Sequence, residues 1–185
     1  MNNKLLEKIN SKPSWLVKIL FIVVTALILT GTDLIVKEVV SKNLKHKTNS
    51  ITVIKGFWYF QYTENPDIGF SALRWLNKKM DHNTKYIFLV LLQGFGTIFV
   101  IGFYFYTKHW KYLVPLALIS AGALGNVIDR IIRGFVVDYV NWFFKFIPLR
   151  LFNPWPTFNL ADVYTVIGAI LLFIVIFLFE EKKVV

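Results

Sequence analysis

Two aspartates stand in apolar surroundings, in the stretches VVDY and FNLAD. Asp138 and Asp162 are 24 residues apart along the chain, and apolar residues flank both of them. Two carboxylates that are held close together cannot both ionise easily, so one keeps a proton while the other is charged. Such a pair can activate a water molecule while its protonated member donates to a carbonyl oxygen. The two stretches therefore predict an acid–base pair that requires no thiol, metal or cofactor.

The same aspartates also fit a purely structural interpretation as helix caps. Asn159 and Asp162 stand where the N-cap and the first turn of a helix would fall. Asparagine is favoured at an N-cap, and the helix dipole favours negative charge in the first turn. The spacing alone leaves both interpretations open.

A second polar group lies in the stretch GALGNVIDR. Gly122, Asn126 and Arg130 recur every four residues and Asp129 lies beside them, so a helix would place all four on nearly one face. Adjacent opposite charges within a membrane usually neutralise each other. Asp129 and Arg130 are therefore predicted to form a structural network with other helices, whereas Asn126 fits either a structural or a functional role.

Other chemistry receives little support from the sequence. Asp33 and Lys37 are four residues apart, which is the spacing of an ordinary helical ion pair that would brace a site rather than react. The chain has no cysteine, and its three histidines are scattered, so neither thiol catalysis nor a metal site is predicted. The GxSxG pattern of serine hydrolases is absent.

The composition indicates the elements that must position these residues. The chain is 56% hydrophobic, has a mean hydropathy of +0.54 and carries a net charge of +10. Four apolar runs, at about 15–36, 86–106, 112–132 and 160–179, approach the roughly 20 residues that span a bilayer. We therefore expect a single domain, residues 1–185, with the fold of an all-α polytopic membrane protein with four transmembrane helices. The basic residues flank the spans, which favours membrane lipids over nucleic acid as partners.

The alternation of the spans places the candidate residues together. The first and third spans end on the side where the fourth begins, so Asp33, Asp129, Asp138 and Asp162 share one membrane face. The polar segment from about 41 to 85 on that face is rich in β-branched and aromatic residues, which predicts a small β-rich cradle. The second polar segment is predicted to be an interfacial loop, with aromatic side chains at the membrane surface: Trp142, Phe143, Phe144 and Trp155. The distribution of Lys and Arg does not determine which face this is.

Taken in order, the motifs TDLIVK, YTENPDIGF, GNVIDR, VVDY and FNLAD resemble the signature blocks of lipoprotein signal peptidase, also called signal peptidase II. The resemblance spans nearly the whole chain. It implies an aspartyl endopeptidase, with Asp138 and Asp162 as the catalytic pair, that cleaves diacylglyceryl-modified prolipoproteins just before the lipidated cysteine. It also implies inhibition by globomycin, cytoplasmic termini, and a site near the outer leaflet of the bacterial cytoplasmic (inner) membrane.

By motif match, the resemblance implies a further set of residues that shape, support or bind at the site: Asp33, Lys37, Asn65, Gly69, Gly122, Asn126, Asp129, Arg130, Val136, Asn159 and Ala161. One block departs from the family pattern N-x-G-x-A-F. Asn65 and Phe70 match it, but Asp67 replaces the glycine and Gly69 replaces the alanine. The geometry of the substrate loop and its inhibitor contacts are therefore expected to differ here.

The competing class is a non-enzymatic membrane protein, such as a small transporter that uses Asp138 and Asp162 as a proton relay. A relay predicts a polar path across the bilayer. The second span offers only Gln93 for such a path, and the inner half of the fourth span offers nothing. A scaffold or insertase-like role would instead tolerate the loss of either carboxylate.

Overall fold

The computed structural model describes residues 11–47, 50–67, 79–144 and 155–179. Its long helices are α1 (Trp15–Leu44), α2 (His82–Tyr106), α3 (Leu113–Arg133) and α4 (Leu160–Phe179). Each is long and apolar enough to cross a membrane. A small sheet accompanies the helices, so the predicted fold class of four membrane-spanning helices with a β-rich cradle is confirmed.

Two helices extend beyond the apolar runs that predicted them. Helix α1 continues to Leu44, and one side of this extension packs on the protein, where Lys37 and Leu44 are buried. Helix α2 begins at His82 because the Asp81 carboxylate accepts a hydrogen bond from the Thr84 N–H at 3.0 Å, which caps the helix. Hydropathy therefore predicted the apolar spans, whereas caps and buried polar contacts determine where the helices end.

Helix α3 is the centre of the bundle. It packs against α1, α2 and α4, and much of its surface is buried, whereas the other three helices expose rows of large apolar side chains. Such exposed rows are expected where helices face lipid. Gly134 follows α3 with a left-handed φ of +83°, and its N–H donates to the Arg130 carbonyl at 2.9 Å. This glycine ends the helix and redirects the chain into a strand.

The sheet has three antiparallel strands in the order β1 (Ile51–Ile54), β2 (Trp58–Asn65) and β3 (Val136–Trp142). The first two lie in the segment that was predicted to contain strands. Strand β3 was not predicted, because nearly all of its residues are buried and its sequence lacks the apolar–polar alternation of a half-exposed strand. Its register pairs Asn65 with Val136, and an isolated bridge joins Val140 to Phe158 just before α4. Strand β3 therefore connects the first polar segment to the start of α4.

The end of the bundle away from the sheet has its own polar tie. The Lys18 ammonium donates to the backbone carbonyls of Phe105, at 2.9 Å, and Thr107. The Tyr104 hydroxyl donates to the Lys18 carbonyl at 2.8 Å. A lysine at the C-terminus of a helix satisfies carbonyls that have no partner within the helix. Lys18 therefore fixes α1 to the end of α2.

Candidate active site

A polar cavity of about 200 Å³ contains both aspartates of the predicted pair. Strands β2 and β3 and helices α2, α3 and α4 all contribute to its walls. It is lined by Asn65, Asp67, Gln93, Ala123, Asn126, Arg130, Val136, Asp138, Thr157, Asp162 and Thr165. The structure thus brings the aspartates of VVDY and FNLAD to a single site.

Asp138 enters the cavity from β3 and is only 2% exposed. Its Oδ2 accepts a hydrogen bond from Asn65 Nδ2, and its Oδ1 accepts one from Asn159 Nδ2, both at 2.7 Å. Burial, with a further contribution from the charge of Asp162, raises the pKa of Asp138 to about 7, although the two amide donors oppose this shift. Asp138 therefore retains a large share of its proton at neutral pH.

Asp162 lies in the first turn of α4, and Asn159 is the N-cap. The Asn159 Oδ1 accepts from the Asp162 N–H at 3.0 Å, and the Asp162 Oδ2 accepts from the Asn159 N–H at 3.1 Å. This reciprocal arrangement is a capping box. The other oxygen of Asp162, Oδ1, accepts from Asn126 Nδ2 at 2.9 Å at the cavity wall. The helix-cap interpretation is therefore correct for Asp162, yet it leaves one carboxylate oxygen for the cavity, whereas Asp138 lies within a strand.

Two asparagines connect the two carboxylates. The Asn126 Oδ1 accepts from Lys37 Nζ at 2.9 Å and from Asn159 Nδ2 at 3.1 Å. Because that oxygen is already used as an acceptor, the amide nitrogen of Asn126 faces Asp162. Asn159 in turn donates to Asp138. A continuous line of hydrogen bonds therefore runs from one aspartate to the other.

Each candidate aspartate is also held through the backbone of the residue before it. The Asp129 Oδ2 accepts from the Val137 N–H at 2.9 Å, and the Asp33 Oδ1 accepts from the Ala161 N–H at 3.0 Å. These two carboxylates lie on α3 and α1, so each fixes an element that carries a candidate residue. Both are almost completely buried. The same kind of contact thus positions Asp138 and Asp162.

Lys37 neutralises these two supporting carboxylates. Its Nζ lies 2.7 Å from Asp33 Oδ2 and 3.3 Å from Asp129 Oδ2, and its side chain is fully buried. The ion pair expected from the spacing of Asp33 and Lys37 is therefore present, and it includes a second carboxylate from α3. Arg133 also contacts Asp129. The supporting charges are thus balanced without involving the candidate pair directly.

Arg130 also lines the cavity. Its guanidinium donates to Gln93 Oε1 at 2.8 Å and to the backbone carbonyl of Asp67. Arg130 and Asp129 therefore contact groups on other elements, as the sequence predicted. Sequence reasoning did not include Gln93 in the site. The sequence did contain a signal for Gln93, because it is an amide in an otherwise apolar span and such a group needs a polar partner.

Two of the remaining predicted residues, Val136 and Gly122, contribute shape. Val136 lines the cavity beside its strand partner Asn65. A Cβ at Gly122 would overlap the Ala161 carbonyl oxygen and the Thr165 hydroxyl, so α3 can approach α4 this closely only with glycine there. Gly69 lies outside the described residues.

A second cavity, which is apolar and has a volume of about 270 Å³, also contacts Asp162. It is lined by Trp142, Phe144, Trp155, Phe158, Asp162, Val163, Val166 and Ile167. Asp162 carries the only charge among these described residues and belongs to both cavities. Three of the aromatic residues predicted for the interfacial loop thus surround an apolar space next to the candidate pair.

Four spans, a covering sheet and two carboxylates in one cavity define a multi-pass membrane protein with a paired-carboxylate site. Two solved structures, each described as a bacterial membrane enzyme determined by the in meso method, share the fold. One has a TM-score of 0.68 at 24% identity and covers 92% of this chain and 99% of its own. The other has a TM-score of 0.66 at 23% identity and covers 95% and 98%.

Sequence comparison identifies the family. The family model for signal peptidase (SPase) II matches residues 24–178. The lipoprotein signal peptidase of Halothermothrix orenii is 36% identical over 166 residues, which is 87% of this chain and 97% of that protein. Its counterpart in Xanthomonas oryzae pv. oryzae is 32% identical over 155 residues, which is 82% and 85% of the two chains. The chain belongs to the signal peptidase II family, as its motifs implied, and is therefore a membrane protease.

Proposed function

We propose that the protein is an intramembrane aspartyl endopeptidase that removes the signal peptide from diacylglyceryl-modified prolipoproteins by cleaving before the lipidated cysteine. Membership of the family supports the removal of signal peptides from lipoproteins. The observation that carries the mechanism is the single cavity in which Asp138 and Asp162 are joined through Asn126 and Asn159.

The two carboxyl groups have different environments, which supports different roles. Asp138 is the acid, because its raised pKa lets it hold a proton near neutral pH. Asp162 is the base, because it lies in the first turn of α4, where the positive end of the helix dipole favours the charged carboxylate. Asp162 takes a proton from water as the water oxygen attacks the scissile carbonyl carbon, and Asp138 gives its proton to the carbonyl oxygen.

The tetrahedral intermediate then collapses. Its hydroxyl proton returns to Asp138, the C–N bond breaks, and the leaving amine takes the proton held by Asp162. The pair is thereby restored to one neutral and one charged carboxyl group. The amide donors on both aspartates hold the carboxyl groups in place throughout, which keeps the reorganisation cost low.

The apolar cavity supports the choice of a lipidated substrate. Two of its lining residues, Val166 at 48% exposure and Ile167 at 45%, lie on the outer surface of α4 and are open to the bilayer. An acyl chain of the modified cysteine can therefore enter from the membrane and lie beside Asp162. Because that cysteine follows the scissile bond, its lipid must bind next to the catalytic pair.

The same proposal includes the setting of the enzyme. We place residues 1–185 as one membrane-embedded peptidase domain in the bacterial cytoplasmic membrane, with the site toward the outer leaflet, where its substrates are anchored. Globomycin-type inhibitors are expected to occupy the polar cavity, and membrane lipids to surround the spans. The transporter alternative receives no support from α4, which has no polar side chain after Thr165.

A gel-shift assay with a diacylglyceryl prolipoprotein tests the proposal. Asp138→Asn and Asp162→Asn are each expected to lower the cleavage rate by about 10²- to 10⁴-fold, because each removes a proton-transfer group. Asp81→Asn is the matched control, since it makes the same chemical change at the exposed cap of α2 and asparagine is also a good N-cap. Near-wild-type cleavage by either site variant, when the protein is folded, would refute the assignment.

A further inference from the structure

Asp67 is one of the two residues at which the first polar segment departs from the family pattern, and the function proposed above leaves its side chain without a role. It is only 4% exposed, and Lys85 on α2 is 7% exposed. The Asp67 carboxylate forms an ion pair with the Lys85 ammonium. A buried carboxylate is costly unless it is paired, so this contact ties the turn after β2 to α2.

The backbone of Asp67 makes two contacts with the site. Its N–H donates to Asn65 Oδ1 at 2.9 Å, and its carbonyl accepts from the Arg130 guanidinium. Because the Asn65 oxygen is used in this turn, the Asn65 amide nitrogen faces Asp138, to which it donates at 2.7 Å. One turn therefore sets the orientation of a donor to Asp138 and the position of the guanidinium at the cavity wall.

We propose that Asp67 is a positioning residue whose ion pair with Lys85 fixes this turn. The fixed turn then presents Asn65 to Asp138 and holds Arg130 at the cavity wall. The glycine of the family pattern has no side chain to form this tie. The kinetic test of this inference rests on the function proposed above, but its spectroscopic test does not.

The inference predicts a pH effect of defined sign. Asp138 faces charged groups from three helices, namely Lys37 on α1, Arg130 on α3 and Asp162 on α4, while β2 contributes the neutral Asn65. A donated hydrogen bond favours the charged carboxylate, so loss of the Asn65 donor or displacement of Arg130 raises the pKa of Asp138. Removal of the Asp67 charge by itself would lower that pKa. The direction of the shift therefore separates positioning from a direct charge effect.

The experiment compares Asp67→Asn, Lys85→Met and the double variant in the full-length protein. Each single variant is expected to lower kcat/KM by about 10- to 100-fold, the loss that small displacements in a site produce. The double variant removes both buried charges, so its thermal stability is expected to recover. Its kcat/KM is expected to stay low, and the basic limb of its pH profile is expected to move to higher pH, because the turn is still not fixed. Lys85→Arg retains a cation at this position and is expected to rescue activity.

Glu64→Gln is the matched control, since Glu64 lies in β2, three residues before Asp67, but forms an ion pair with Lys45 at the surface, where both side chains are about 45% exposed. It is expected to leave kcat/KM and the pH profile unchanged. The inference is overturned if activity and the pH profile recover together with stability in the double variant, or if the basic limb stays in place or moves downward.

A titration of the Asp138 carboxyl band by infrared difference spectroscopy requires no substrate. Asp138→Asn assigns the band, and the Asp67→Asn/Lys85→Met variant is expected to titrate at higher pH than the wild type. If the wild type fails to cleave a prolipoprotein, the proposed function fails while this titration still decides the inference. An unchanged or lower midpoint overturns it.

Discussion

Replacement of Lys37 by methionine tests whether the candidate site depends on its buried supporting charges. Methionine has nearly the length of lysine and leaves little empty space, so the main change is the loss of the positive charge. The Asp33 and Asp129 carboxylates, 2.7 and 3.3 Å from the ammonium, then remain buried without it. They are also the acceptors that hold the Ala161 and Val137 N–H groups.

The expected magnitude follows from the burial of the cluster. Removal of one partner from a buried ion pair costs about 3–5 kcal/mol, because the remaining charge is left in a medium of low dielectric constant. Arg133 still contacts Asp129, which moderates that part of the loss. Asp33 has no second cation among its described ion pairs, so we expect a cost of about 3 kcal/mol or more.

The assay is thermal unfolding of the purified protein in detergent. Lys42→Met is the matched control, because Lys42 forms a helical ion pair of the same spacing with Glu38, at 3.2 Å, but both side chains are at least half exposed. Because solvent screens an exposed pair, it is expected to contribute little to stability. The reasoning is refuted if Lys37→Met and Lys42→Met lower the melting temperature by the same small amount.

Four further outcomes are expected. Cleavage by the wild type should decline above about pH 7, which is the raised pKa of Asp138, because both carboxyl groups of the pair are then negatively charged. A pH–rate profile with no decline there would contradict the assignment of Asp138 as the acid. Because of that raised pKa, the folded protein binds the Asp138 proton more tightly than the unfolded chain does, so the melting temperature should fall as the pH rises from about 4 to about 7. The fall should be smaller in Asp138→Asn, which lacks this proton. Gly122→Ala should cost about 1–3 kcal/mol and reduce cleavage, because the added Cβ pushes α3 from α4, whereas an unchanged melting temperature would show that the helices adjust freely. Ile167→Trp should fill the apolar cavity and raise KM for the diacylglyceryl substrate more than it changes kcat, and an unchanged KM would place the acyl chain elsewhere.

The sequence by itself predicted the four spans and the membrane face that the aspartates share. These properties are local, because about 20 consecutive apolar residues are sufficient for a span and the alternation of spans fixes the side of each connection. The spacing of Asp33 and Lys37 likewise predicted their ion pair, since residues four apart are neighbours on any helix. The ordered motifs identified the family for the same reason, as each is a short contiguous stretch.

Only the tertiary structure decided how the site is held together. Strand β3 forms because it pairs with β2 and contacts Phe158, although its own residues show no strand-like alternation. The partners Asn65 and Asp138 are 73 residues apart, and Arg130 and Gln93 are 37 apart, so local spacing cannot predict either contact. Asp162 proved to be both a helix cap and a cavity residue because its two oxygens have different partners. A buried polar atom must take a partner from whatever element the packing brings close, and that choice is a property of the whole fold.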